Sequence, residues 1–238
     1  MLRFALKSFF SLAALSAAIL SPADARSLSA INRVSESSGV GGNQPSSNSS
    51  VSADGRYIVF QSSASNLVSG DTNGLMDVFL FDAQTGTTIK VSTGLLGAQA
   101  DGQSVNPVIS GDGSKIAFVS IAKNLVAGDT NRVSDVFVFD VATSQISRIS
   151  VSPEGIQGDG ASSEPSISHN GNLIAFSSLA TNLTREDAND RRDVFVRNLI
   201  AYGTSLVSLS STDVQGDDHS FGPSISADGS TVAFSSTA

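Results

Sequence analysis

Four short runs of this chain each end in three consecutive apolar residues, and they recur at one spacing. They are Tyr57-Ile58-Val59-Phe60, Lys115-Ile116-Ala117-Phe118, Leu173-Ile174-Ala175-Phe176 and Thr231-Val232-Ala233-Phe234. Phe60, Phe118, Phe176 and Phe234 stand 58 residues apart, as do the preceding glycines Gly55, Gly113, Gly171 and Gly229. Each glycine follows Asp54, Asp112, Asn170 or Asp228. Gly after Asp or Asn suits a tight turn with φ > 0. The pattern therefore predicts a short strand (Val108-Ile109-Ser110 in the second copy), a turn, and an apolar strand. A longer loop follows, then a third strand over residues 77–82, 135–140 and 193–198. A fourth strand is predicted at residues 89–92, 146–150 and 206–208.

The second and third strands are apolar on both faces, so their sheet has to lie between other sheets. Self-similarity at a fixed period means stacked copies of one unit that cannot bury its own apolar face alone. Four antiparallel strands per unit, stacked face to face, make a β-propeller blade. No helical periodicity is sustained beyond the N-terminus. The expected fold is all-β: a β-propeller of four-stranded antiparallel blades with a 58-residue repeat, incomplete, with three full blades plus a partial one. A β-solenoid is the rival, but its repeats are shorter and lack this hairpin punctuation.

The predicted organisation starts with a signal peptide over residues 1–25. Arg3 and Lys7 precede a short apolar run from Phe9 to Leu20, and Ala23-Asp24-Ala25 forms an A-x-A cleavage site, so the mature chain is expected to start at Arg26. The run is too short to span a bilayer, and no later segment reads as a span. The expected location is the periplasm or the medium, with no integral membrane contact after cleavage. Residues 26–50 read as an N-terminal strand and a Ser/Gly-rich loop. The propeller repeats of residues 51–238 divide at about 49–106, 107–164, 165–222 and a partial 223–238. Residues 31–35 resemble a fourth strand, of the kind that completes a last blade and locks the ring. The last copy stops before its third strand, which reads as a fragment.

Charge and composition narrow the function classes. A net charge of −8 argues against nucleic acid as a partner. Of 13 Phe, nine fall at repeat-equivalent positions, so the large apolar mass goes into packing units together. The absence of Cys fits an exported protein that does not rely on disulfides.

The main candidate for chemistry is the loop before the third strand. It places Asp71, Asn73 and Asp77 in the first copy, Asp129, Asn131 and Asp135 in the second, and Asp187, Asn189 and Asp193 in the third. D-x-N-x-x-x-D clusters hard oxygen ligands of the kind calcium takes. The loop is not an EF-hand: Leu75, Val133 and Arg191 hold position five, and no Glu follows at twelve. The competing reading is structural, with Asp and Asn bonding their own loop amides and Asp77, Asp135 and Asp193 anchoring the strand start. Ser120-Ile121-Ala122-Lys123 matches the S-x-x-K nucleophile pattern, but its copies lack the lysine and no K-T-G accompanies it. His169 and His219 are isolated and, without Cys, do not suggest zinc. Asp54, Asp112 and Asp228 repeat as turn residues rather than as a catalytic pair. No G-x-S-x-G elbow is present. No catalytic residue and no certain cofactor emerge, and calcium stays the one cofactor to test.

The repeat unit carries a resemblance. It reads S-x-D-G-x-x-[IV]-[AV]-F-x-S, then N-L-V-x-G-D-T-N-x-x-x-D-V-F-V-x-D, over residues 52–82 (with Leu80 for the second Val) and 110–140. This resembles the WD-like repeat of TolB-type β-propellers, over the chain from about residue 31 onward. The third copy departs at Asn170, at residues 184–186 and at Arg197-Asn198. The resemblance implies the fold. It also implies a choice of roles, because the family includes periplasmic protein-interaction platforms and propellers joined to peptidase domains. The expected function is an exported, non-catalytic binding or scaffold module whose partner is another protein. The alternative is the propeller portion of an enzyme, either a glycan lyase or hydrolase or a peptidase-gating propeller, whose catalytic part lies elsewhere.

Overall fold

In the computed structural model of the chain, the described residues are 32–238 together with Ser16–Ala17. Strand β1 (Ser16–Ala17) pairs antiparallel with β2 (Asn32–Arg33). The rest of the expected signal peptide, with its cleavage site at Ala25, lies outside the described residues. A two-residue hairpin follows, β3 (Glu36–Ser37) with β4 (Val40–Gly41), turning through Ser38 and Gly39 at positive φ.

Three antiparallel four-stranded sheets come next. The first is β5 (Ser46–Val51), β6 (Tyr57–Ser62), β7 (Asp77–Asp82) and β8 (Thr87–Lys90). The second is β9 (Ser104–Ile109), β10 (Lys115–Ser120), β11 (Asp135–Asp140) and β12 (Gln145–Arg148). The third is β13 (Ser162–Ile167), β14 (Leu173–Ser178), β15 (Asp193–Asn198) and β16 (Thr204–Leu206). A two-stranded sheet ends the chain, β17 (Ser220–Ile225) with β18 (Val232–Ser236), and β18 has no partner on its outer side among the described residues. The sheets are blades, and among the described residues they do not close into a ring.

The turn into each second strand forms as its sequence requires. Gly55 adopts φ 76°, and Asp54 Oδ1 accepts hydrogen bonds from the Ser52 hydroxyl at 2.5 Å and the Arg56 amide at 3.0 Å. The first strands depart from the sequence reading. Each begins three residues ahead of the expected boundary, at Ser46, Ser104, Ser162 and Ser220, so β5 takes in the end of the stretch read as loop. Each is also bulged around a residue at positive φ: Asn48, Asn106, Glu164 and Gly222. In three of them Pro107, Pro165 or Pro223 follows, which has no amide to donate. A polar strand with a bulge has no clean alternation, so its boundary is poorly marked in sequence. These strands lie side by side between blades: the Asn48 amide group donates to Asn106 Oδ1 at 2.8 Å, and the Ile225 amide donates to Ser166 Oγ at 3.0 Å.

The core repeats with the blades. Phe60 faces Phe79 across β6 and β7, Phe118 faces Phe137, and Phe176 faces Phe195, with ring centroids 5.7, 5.8 and 5.9 Å apart. All six rings are fully buried, as the periodicity predicts for Phe60, Phe118 and Phe176. Each pair packs on the chain entering from the preceding unit: Val34 for the first, Val91 for the second, Ile149 for the third. Residues 31–35 were expected to resemble a fourth strand. Residue 31 lies outside the described residues, Asn32–Arg33 form a strand that pairs with β1 and not with a blade, and Val34 packs into the core of the first blade without any pairing to β18.

A candidate cation site at the loop before the third strand

The loop is tied down at its middle. Asn73 Oδ1 accepts the Leu75 amide at 3.0 Å, Asn131 Oδ1 the Val133 amide at 3.2 Å, and Asn189 Oδ1 the Arg191 amide at 2.8 Å. These are Asx turns. The same carboxamides donate outward to the interblade carbonyls of Ala100, Gly158 and Gly216. The third strand is anchored by its first residue. Asp77, Asp135 and Asp193 are wholly buried, and each accepts a hydroxyl from Ser92, Ser150 or Ser208 at 2.6, 2.5 and 2.5 Å. Each serine in turn accepts the amide of Val78, Val136 or Val194.

The remaining aspartates, Asp71, Asp129 and Asp187, are carried beside the strand-start aspartates, and what lies between each pair differs by blade. In the first blade Lys90 Nζ is 3.0 Å from Asp71 Oδ1, 2.7 Å from Asp77 Oδ2 and 2.8 Å from Gln99 Oε1. This ammonium is buried, its side chain 7% exposed. In the second blade Arg148 takes the place, with Nη1 3.5 Å from Asp129 and 3.9 Å from Asp135. There Gln157 Nε2 donates to both carboxylates, at 2.9 and 3.2 Å. In the third blade the position is Leu206. Gln215 Nε2 alone bridges Asp187 Oδ1 and Asp193 Oδ2, at 2.8 and 2.9 Å. The other oxygen of Asp187, Oδ2, is buried without a hydrogen-bond partner.

The electrostatics follow. Burial pushes the Asp135 carboxyl above the usual carboxylate range, against the hydrogen bonds from Ser150, Asn131 and Gln157. Asp187 is raised chiefly by burial; Gln215 opposes the shift, and the charge on Asp193 adds to it.

The nine residues expected to ligate calcium are thus not gathered as ligand sets of three. The asparagine oxygens are spent on loop amides, and only the two aspartates of each blade converge. Among the described residues no group of three or more His, Cys, Asp or Glu side chains could hold a metal. In two blades the cation is the chain's own. Sequence reasoning missed Lys90, Arg148 and the three glutamines, although Gln99, Gln157 and Gln215 recur at the same period as the aspartates. Positions 90, 148 and 206 also recur at that period, as Lys, Arg and Leu.

The other motifs are absorbed by structure. Ser120 Oγ bonds Ser104, the Gln103 carbonyl and the Ala122 amide. His219 Nδ1 accepts the Arg192 amide at 2.9 Å, and His169 packs over Gly111. Arg197, standing where Phe81 and Phe139 stand in the other blades, is buried and donates from Nη1 to the Ser152 carbonyl and Thr204 Oγ1. A cavity of about 350 Å³ lies on this side of the third blade, lined among others by Glu154, Thr184, Glu186 and Thr204.

No known protein-family profile matches the chain, and no curated protein sequence matches it. Solved structures do. A prolyl endopeptidase superposes with a TM-score of 0.51 at 13% identity, covering 81% of this chain and 26% of its own. TolB from Acinetobacter baumannii matches at TM-score 0.49 and 16% identity, over 87% of this chain and 40% of that one. The β-propeller domain of the Trilobed protease from Pyrococcus furiosus, described as having an open velcro topology, matches at 0.42 and 13%, over 68% and 41%. The chain spans less than two thirds of the length of each. At these identities the likeness concerns the fold alone. The chain has the fold of a β-propeller, with stacked four-stranded antiparallel blades.

Proposed function

We propose that this chain is an exported, non-catalytic β-propeller that serves as a binding or scaffold module for another protein, in the periplasm or outside the cell. The observation that carries this reading is where the recurrent polar side chains are spent. Asp54, Asn73, Asp77 and their copies each bond neighbouring backbone or serine, so the repeated chemistry holds loops in place and leaves no free reacting group at those positions. Catalytic constellations need an activated group within reach of substrate. A propeller whose loops are braced in this way offers a stiff surface, which lowers the ordering cost of binding a partner. Among the described residues no helix is long and apolar enough to cross a membrane.

The test is reconstitution. The tagged chain, expressed in its own cell envelope, is cross-linked and the captured protein purified separately. A saturable complex between the two purified proteins is the expected result. Turnover of an oligosaccharide or peptide by the chain itself, without such a complex, overturns the proposal and favours the enzyme reading. Export is checked on the same material: the mature N-terminus is expected at Arg26, and secreted protein beginning at Met1 would contradict it.

A further inference from the structure

We propose that two copies of this chain pair head to tail, the outer face of the β17–β18 sheet of one copy docking on the first blade of the other, and that two such junctions close a ring.

The chain makes this junction three times within itself. Along each second strand one set of side chains faces the preceding blade and the alternate set faces the next. Val59 clusters with Ile116 and Phe118 of the second blade, and Ala117 with Ile174 and Phe176 of the third. The residue that opens each run lies over the turn glycine of the next blade: Tyr57 over Gly113, Lys115 over Gly171 and Leu173 over Gly229. The backbone joins the blades as well. The amide of Ala53 donates to the Gly111 carbonyl, that of Asp112 to the His169 carbonyl and that of His169 to the Ala227 carbonyl, each at 2.8 Å.

At the two ends of the stack the halves of this junction are left over, and they match. On the first blade Val51 is 57% exposed, whereas its copies Ile109 and Ile225, which lie against the preceding blade, are 6% and 9% exposed. Gly55 has open space where Gly113, Gly171 and Gly229 meet a side chain. On the last sheet Thr231 and Ala233 are exposed, whereas Val59, Ala117 and Ala175, which hold the place of Ala233, are wholly buried. Among the described residues the Ala53 carbonyl and the Ala227 amide have no hydrogen-bond partner. In the register that the chain already uses, Thr231 of one copy covers Gly55 of the other, Ala233 faces the apolar side that carries Val51, and the Ala227 amide donates to the Ala53 carbonyl.

The occupant that each face fits is therefore the opposite face of the same repeat, and a second copy carries it. Stacked repeats bury their apolar faces only against neighbours of their own kind. Head-to-tail contacts form a ring where the rotation closes, and a two-fold axis makes both junctions at once. Each copy brings three four-stranded blades and the β17–β18 sheet, four units in all, so a pair brings eight. That is the upper end of the blade numbers that close into propellers, and a third copy overshoots it.

The experiment weighs the full chain by sedimentation equilibrium and light scattering. The expected mass is that of two copies, falling to one on dilution. Val51→Lys and Ala233→Lys each put a charge on one of the two faces, at a side chain that is exposed in the single copy. Both are expected to keep the far-UV circular dichroism of the parent and to run as single copies. Gln145→Lys, an equal charge at an exposed position of β12, is expected to leave the pair intact. Mixed in equal amounts, the two face variants retain one junction free of substitution and are expected to recover a pair with one copy of each, which separates head-to-tail docking from contact of either face with itself. The proposal falls if the parent stays a single copy at millimolar concentration, if it grows into species larger than a pair, or if either face variant folds and still pairs alone. It also falls if the two variants fail to pair when mixed, or if the chain recovered from its cell envelope carries a different protein in a complex that Val51→Lys abolishes.

Discussion

Replacing Phe118 by Ala tests whether the repeat period reports the core. Phe118 is fully buried and stacks on Phe137 at 5.8 Å, and it belongs to a cluster that also contains Val91, Ala100, Ala122 and Leu125. The ring therefore joins two sheet strands to the chain arriving from the preceding blade. Its removal forfeits the transfer energy of a buried aromatic and leaves a hole that strands held by ladder hydrogen bonds refill poorly. The expected cost is about 3–5 kcal/mol, of which the ring pair contributes about 0.5–1.5 kcal/mol. For a chain of this size each kcal/mol lowers Tm by about 2–4 °C, so a fall of about 6–20 °C is expected. Phe234 occupies the same place in the repeat but is only half-buried, on a strand with no outer partner among the described residues. Phe234→Ala is expected to cost about 1 kcal/mol, since about half the area is at stake. Urea denaturation followed by far-UV circular dichroism measures both. A loss below about 1 kcal/mol for Phe118→Ala, or equal losses at the two positions, would refute the argument that blade stacking sets the energy.

Lys90→Met leaves Asp71 and Asp77 buried without their cation, and is expected to destabilise the chain by about 3–5 kcal/mol in the same denaturation assay; a neutral outcome would mean that the cradle is solvated. Gly102→Ala places a Cβ 2.6 Å from the Ala122 backbone nitrogen, so the interblade loop has to shift; a Tm within 1 °C of the parent would contradict that close approach. Asp140 is held at about 2 by its hydrogen bond to Lys115, below its ordinary 3.8. It therefore contributes stability that is present above pH 3.8 and is lost as pH falls toward 2. Asp140→Asn is expected to lower Tm at pH 6 and to flatten its fall between pH 4 and pH 2, and an unchanged acid profile would remove the pairing from the account.

Much of the propeller is legible in one dimension because a propeller is built by repetition. The turn at Asp54-Gly55 and its copies, the apolar runs ending in Phe60, Phe118 and Phe176, and the third strands opening on Asp77, Asp135 and Asp193 all follow from local chemistry. A residue that must reach φ > 0 or fill a two-sided sheet leaves the same mark at every period. The first strands are less legible, because their bulges and prolines replace alternation with polar sequence along the blade edges. The candidate site was half visible. The aspartates stand within seven residues of one another and declare themselves as oxygen donors. What lies between each pair is decided by tertiary structure, since Lys90 comes from the fourth strand and Gln99 from the loop to the next blade. The 58-residue period makes positions 90, 148 and 206 equivalent but does not say that they lie near the carboxylates. Only the folded blade, by setting each of them against the inner phenylalanine of the third strand, makes Lys90 and Arg148 counter-ions and leaves Leu206 in the apolar cluster with Phe195, because register across a sheet is fixed by backbone pairing and not by neighbourhood along the chain.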